Sequence, residues 1–559
     1  MNNWTLAFAL AFSFMGGPLA AQDAMIITNA KVYTVNADRS WAEAIYVDGN
    51  GVIQGVGTSS DLLKAHPTAS VVDLGGQLVL PGFQDVHMHA IEAGISDSYC
   101  EMPQFGSVDD FVDALDFCVA DWDGGEWIMG AGVNMTSLLG TVSDPLALID
   151  EMIPDRPALI IDDIGHGAWA NSLALEAAGL DLLTQDPPGG ILVRLADGRL
   201  SGVVLESLSQ TLIDASQPAR NEHLDFAYNS LIEAMDVLAS NGITTISDAG
   251  GYWPRGHDRI WAEADANGDL SVRANNALYV YPDLPIDLQI AELIRRRTND
   301  PQSLVRFNQV KIYVDGILTQ ATGALLAPYS ASLGLLEEDE MGFEYFERDT
   351  LLRYVRELSA AGFQLHIHTT GDRGARLALD AIAAADVQSG PHRITHLYMV
   401  DGADIPRFAA LNVVADFQMA PSSLTSDYSS FLSGFIGVRS KSILPFDALY
   451  ESGALLTLSS DWDADELSPL VKLQTVLTRP NKGSVDLAAA IEMMTINPAQ
   501  LLKHADKTGS IEVGKFADLV VIDRDIFSVP PSDISSAQVT ATLLQGEAVF
   551  DPAGVFAID

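Results

Sequence analysis

The chain has 559 residues, 48% of them hydrophobic and only 19% charged, which excludes a disordered or collagen-like chain and provides three or four domains' worth of core. Asp and Glu number 75 against 31 Lys and Arg, a net charge of -44. Like charges repel, so nucleic acid and anionic lipid are excluded as principal partners, and the acid excess reads as a solubility surface.

Trp4 to Met15 is an apolar run of 12 residues, short of the ~20 a bilayer span needs. Gly16, Gly17 and Pro18 break it, and Ala20 and Ala21 follow. The n-region holds no Lys or Arg, yet the order is that of a secretory signal. Residues 1–21 are therefore expected to be removed, leaving a periplasmic or secreted protein with no integral membrane segment. The two cysteines, Cys100 and Cys118, have no metal-binding spacing. An oxidising compartment permits a bridge between them; two buried thiols remain the alternative.

From Met25 to Leu80 short β-rich runs are parted by Asn-Gly and Gly-Gly turns, and GSIEVGKFADLVVIDRD and ATLLQGEAVFD near the C-terminus have the same texture. Residues 22–80 and 508–559 are expected to form one composite β-sandwich. Between them the rhythm becomes strand and amphipathic helix in alternation. Eight strand ends follow: GFQDVHMH (82–89), GITTISDAG (242–250), RANNALYVY (273–281), QVKIYVDG (309–316), GFQLHIHTTGD (362–372), HRITHLYMV (392–400), NVVADFQMAP (412–421) and ALLTLSSDWD (454–463). The pattern predicts an α/β chain with a (β/α)8 TIM barrel over 81–507. The long gap after the first strand predicts an insertion at about 91–240, with a hairpin near Ile191–Gly202.

His87 and His89 stand two apart on the first strand and so share a face. His368 closes the fifth strand, His396 the sixth and Asp461 the eighth; Lys311 lies on the fourth. Barrel enzymes carry their chemistry at these C-terminal strand ends. Imidazole with carboxylate suits zinc or a similar divalent metal. A lone buried His is more often a satisfied core residue, but six such groups on one rim argue for a metal site.

PGFQDVHMH resembles the opening motif of the amidohydrolase superfamily. DDIGHGAWANSLAL, GVVLES, KIYVDGILTQATGALLAPY, HTTGDRGAR, RITHL, SSDWD, MTINPAQLL and GSIEVGKFADLVVID are similar to the branch holding N-substituted formamide deformylases. The resemblance implies one metal on His87, His89 and Asp461, and a second on His368 and His396. It also implies that Lys311 is carboxylated and bridges the two, since a plain ammonium has no lone pair to donate; the plain reading of Lys311 is an ion-pair lysine. One or two zinc ions per chain are thus expected. A related subgroup bridges its metals with Cys near strand two, where TTISDAG has none. The implied reaction is hydrolysis of a non-peptide C–N bond in an amide, N-acyl or cyclic amide. Metal-bound hydroxide attacks, and Asp461 shuttles its proton to the leaving nitrogen.

His166 and Glu206 are expected on the substrate side, His366 beneath His368, and Asp85, Asp372 and Arg373 in supporting roles. His66, His223, His257 and His504 have no motif around them and read as surface residues. Trp122, Trp127, Trp169 and Trp253 offer an aromatic pocket, although scattered Trp more often packs in cores. The expected partner is a small amide-like molecule, and a homodimer stays open. Alternative readings are a deaminase or lactonase on the same scaffold, or an exported non-catalytic binding or regulatory protein. The complete ligand set weighs against the last.

Overall fold

The computed structural model describes residues 23–96, 98–122, 125–330, 340–385, 390–480 and 483–557; the expected signal segment lies outside them. Eight parallel strands form the centre: β1 (Phe83–Met88), β2 (Ile243–Asp248), β3 (Arg273–Tyr279), β4 (Val305–Tyr313), β5 (Gln364–Thr369), β6 (His392–His396), β7 (Val413–Phe417) and β8 (Leu456–Leu458). They neighbour one another in chain order, each at an expected position. The sheet closes just beyond β8, where Asp461 N donates to His87 O at 2.7 Å and His89 N donates to Trp462 O at 2.5 Å. The seam of the barrel therefore falls at the candidate metal residues.

These strands are buried along almost their whole length, as parallel strands covered on both faces must be. Val310 and Ile312 of β4, and Leu365 and Ile367 of β5, join the apolar core against the helices. Lys311, Tyr313, His366 and His368 alternate with them and so face the barrel interior. The helix Asn221–Ser240 buries Ala227, Leu231, Ala234, Met235 and Leu238, one stripe at helical spacing. It packs on the helix Ala90–Ser96, where a Cβ on Gly94 would overlap the Ser230 carbonyl.

The stretch after β1 builds its own mixed sheet, in the order Gly190–Arg194, Leu200–Glu206, Gly167–Ala170, Ala158–Asp162, Ile128–Val133, Cys100–Glu101. The first two are the expected hairpin, pairing Ile191 with Leu205. Phe111, Leu115, Ile160, Val203 and the fully buried Trp169 form a separate core beneath this sheet. The helix Val108–Asp121 begins with a reciprocal Ser107–Asp110 cap and is tied to the edge strand by a Cys100–Cys118 disulfide. The bridge settles the alternative left open by the sequence.

Strands from both chain ends meet in one six-stranded sheet, where Leu519–Ile522 runs antiparallel to Leu78–Pro81 and pairs Val520 with Leu80. A four-stranded sheet of N-terminal strands faces it across a core of Ile27, Val32, Ile45, Val79, Leu519 and Val521. Among the described residues no helix is long and apolar enough to cross a membrane.

Candidate metal centre

At the C-terminal mouth of the barrel, Asp461 gathers the histidines. His87 Nε2 lies 3.0 Å and His89 Nε2 3.5 Å from Asp461 Oδ1, and His396 Nδ1 lies 3.7 Å from Oδ2. One ligand atom from each of His87, His396 and Asp461 falls within 4.8 Å of the others, a spacing that suits one metal ion. The backbone is strained here: Asp461 has φ +59° and His396 φ +72°. On β6, Ile394 packs in the core between barrel and helices, so simple alternation would also turn His396 outward. The left-handed turn at His396 and Leu397 carries its imidazole to the mouth instead.

Lys311 is fully buried on β4, with Nζ 3.2 Å from His87 Nε2 and 4.9 Å from the centre of the Tyr313 ring. Tyr313 in turn stacks on His368, their ring centres 4.3 Å apart. His368 Nε2 faces the Gly316 carbonyl at 3.3 Å, while its buried Nδ1 has no hydrogen-bond partner among the described residues. The His368 and His396 rings stand 4.4 Å apart. The sequence-predicted ligands are thus neighbours around one mouth, although His89 and His368 lie outside the tight three-residue group.

Burial sets much of the electrostatics. It pushes His87 and His368 well below the ordinary histidine range and His396 down to about 3, so the three imidazoles are neutral and keep lone pairs for a metal. Burial works against ionisation of Asp461, but His87 and the hydrogen bonds from both first-strand histidines outweigh it and hold the carboxyl well below its usual value. Burial also lowers Lys311 to about 7, against the attraction of Asp461. At neutral pH a substantial share of Lys311 is then the free amine, the form that can add CO2.

The insertion contributes the facing wall. His166 sits on the turn between Ala158–Asp162 and Gly167–Ala170, its backbone N–H donating to Asp162 Oδ1 at 2.8 Å. Gln320, in the loop after β4, donates to Asp162 Oδ2 at 2.6 Å and ties this turn to the barrel. His166 Nδ1 lies 2.6 Å from Glu206 Oε2. Burial lowers the His166 pKa, but the Glu206 charge outweighs it and the net direction is up. Glu206 stands at φ +60° where its strand meets the next helix, and accepts bonds from Tyr345, Thr322 and the Ile317 N–H. A cavity of about 460 Å³ reaches from His89, His396 and Asp461 to His166.

Tyr99, Tyr252 and Tyr313 supply the aromatic surface of this cavity; none of the four candidate Trp lines it. Asp85 accepts from the His87 N–H at 3.0 Å, and Asp372 accepts from the Leu326 N–H at 2.8 Å. Arg373 donates to Glu344 at 2.5 Å. His257 and His504 correct the expectation of surface residues: they are 1% and 6% exposed. His257 packs on the Gly250 carbonyl after β2, and His504 is buried where the charges of Arg273 and Arg306 reach it, surroundings that no local motif announces. Sequence reasoning passed over Gln418, which meets His396 Nδ1 at 3.0 Å, and Arg393, which meets His366. The alternation of β6 was the only available sign of an inward Arg393.

The family model described as "Amidohydrolase family" matches residues 70–550. An N-substituted formamide deformylase of Arthrobacter pascens is 27% identical over 556 residues, covering 95% of this chain and 99% of the relative. Protein LONG AFTER FAR-RED 3 of Arabidopsis thaliana is 25% identical over 549 residues, covering 94% and 91%. Among solved structures, a metal-dependent hydrolase of Pyrococcus horikoshii superposes with a TM-score of 0.71 at 21% identity, covering 91% of this chain and 99% of the other. With eight strands, a seam at HxH and a family match along most of its length, this chain belongs to the amidohydrolase family.

Proposed function

We propose that the protein is a metal-dependent hydrolase of non-peptide C–N bonds, acting on a small amide, N-acyl or cyclic amide compound. The observation that carries this reading is the convergence of His87, His396 and Asp461 within 4.8 Å at the open end of the barrel. The donor set fits a divalent ion: neutral buried imidazoles, an ionised carboxylate and a buried His368 Nδ1 without a partner among the described residues. His87, His89 and Asp461 would hold one zinc-like ion, His368 and His396 a second, with Lys311 as its carbamate between them. A bound divalent ion supplies Lewis-acid polarisation of a carbonyl and a nucleophilic water at neutral pH.

The chain's own groups supply the rest. Asp461, ionised at the outset, accepts the water's proton on a carboxylate oxygen and releases it to the departing nitrogen. Glu206 engages His166 Nδ1, which leaves Nε2 to meet the substrate across the cavity. The formamide deformylase relative supports the amide class. Two measurements test this reading together: elemental analysis, and amine release from a panel of N-formyl, N-acyl and cyclic amides. The parent should hold metal and turn over part of the panel, and His87→Ala with His89→Ala should lose both while remaining folded. A fully metallated parent inert on every amide would sink it.

We also infer export. The apolar N-terminus followed by Ala20 and Ala21 motivates it, and the Cys100–Cys118 disulfide supports an oxidising compartment. N-terminal sequencing of protein from its native host should begin near Gln22; a mature chain retaining Trp4 would refute cleavage.

A further inference from the structure

The cavity at the mouth extends past the candidate metal residues to a buried cation. Arg255, on the loop after β2, is 4% exposed and lines the same space as His396 and Asp461. Its guanidinium is clamped on two edges: Nε donates to Asp214 Oδ1 at 2.6 Å, and Nη2 donates to Gln210 Oε1 at 2.6 Å. The Tyr252 ring lies against it, with the guanidinium carbon 4.1 Å from the ring centre. Glu92 Oε1 comes to 3.5 Å from Nη1, yet neither Glu92 oxygen accepts a hydrogen bond among the described residues. Nη1 is therefore held in place by the rest of the group and donates no hydrogen bond of its own there.

The neighbours leave donors over in the same way. A guanidinium can only donate, so Gln210 turns its oxygen to Arg255 and its Nε2 is left without an acceptor among the described residues. Gln217 Nε2 donates to Tyr99 Oη at 2.6 Å, which leaves the hydrogen of that hydroxyl for another partner. Arg255, Gln210 and Tyr99 all line the cavity. They come from three segments: the loop after β2, the helix Ser207–Ser216 and the stretch after the helix Ala90–Ser96.

The charge at this wall is already balanced. Asp214 meets the guanidinium directly, Glu92 stands beside it, and the whole chain carries -44. A carboxylate arriving there would add a negative charge to acidic surroundings. An ammonium has no lone pair to offer three donors. The group that fits is an uncharged acceptor, a carbonyl oxygen.

We propose that Arg255, Gln210 and Tyr99 form a subsite for a neutral carbonyl group on the part of the substrate away from the scissile bond. This rests on the reading of the protein as an amide hydrolase, and narrows its substrates to amides that carry a second, uncharged carbonyl.

The test uses the metallated full chain and a matched set of substrates. N-formyl amine, N-acetyl amine and hydantoin heads each carry a tail of two to four methylenes ending in methyl, carbamoyl, carboxylate or ammonium. On the head the parent cleaves fastest, kcat/KM for the best carbamoyl tail should exceed that for the methyl tail by about 10–100 fold, the reach of a hydrogen bond to a charged group. The carboxylate and ammonium tails should fall below the carbamoyl tail. In Arg255→Met the carbamoyl preference should vanish, chiefly through KM, with melting as the control for folding. Should that variant fail to fold, Tyr99→Phe removes one donor, keeps the ring, and should lower the preference several-fold. A parental preference in folded Arg255→Met, or in Tyr99→Phe where that variant is needed, would overturn the proposal. So would a parent that favours the methyl tail or either charged tail. A metallated parent that cleaves none of the three heads would instead strike the hydrolase reading itself, and this proposal with it.

Discussion

Lys311 Nζ stands 3.2 Å from His87 Nε2 in the fully buried interior of the mouth. An ammonium there would face a candidate metal ligand and repel any cation bound beside it. Burial brings this amine down to about 7, which makes the neutral form accessible. The carbamate formed from it would exchange a positive group for an anionic one with two donor oxygens.

Lys311→Ala should lose at least one metal ion and most activity, and a small added carboxylic acid should restore part of both. In the parent, intact mass under native conditions should show one added CO2. That adduct should fade as pH falls below about 7, because the protonated amine cannot attack CO2. A plain lysine in fully active enzyme would exclude the bridge.

Asp461→Asn keeps the shape of the side chain but removes the proton acceptor. With metal restored to parental content, activity should fall by about 10²–10⁴ fold, the usual reach of general acid–base catalysis. Steady-state rates on the best amide of the panel decide the matter, and parental turnover would remove Asp461 from the proton pathway.

The Cys100–Cys118 bridge closes a loop of 18-residue separation between an edge strand and a helix of the insertion. Replacing both cysteines with Ala should cost about 3 kcal/mol. Because the bridge serves the insertion's own core, proteolysis within 91–240 should quicken first, before the barrel melts. Equal cleavage rates in parent and variant would show that the insertion does not depend on it.

His504 offers a pH test away from the mouth. Burial, followed by the charges of Arg273 and Arg306, lowers it from 6.5 to about 3. Above pH 6.5 it is neutral folded or unfolded, and its contribution is fully present. Between 6.5 and about 3 the unfolded chain takes up a proton that the folded chain refuses, so stability falls as pH falls, by up to roughly 1.4 kcal/mol per pH unit. His504→Phe should flatten that part of the profile. Urea unfolding of both proteins at pH 7 and pH 5 measures the difference, and identical pH sensitivity would contradict it.

What could be read from the sequence was whatever repeats locally. Fully buried parallel strands appear as short apolar runs, so all eight barrel strands stand out, and the two-residue period puts His87 with His89 and Lys311 with Tyr313 on shared faces. The ring of candidate ligands followed from those runs because each ligand sits at the end of one. Tertiary structure alone decided the rest. Strand period would turn His396 toward the helices, and a left-handed backbone with no compositional signal returns it to the mouth. His166 finds Glu206 across 40 residues where neighbouring strands of the insertion pair, and His87 finds His366 across 279 inside the barrel, neither through any local pattern. His504 shows the same limit from the other side: a histidine without a motif is buried because distant segments cover it. Periodic burial can be read along a chain, whereas the direction of a hydrogen bond between remote strands exists only once the barrel has closed.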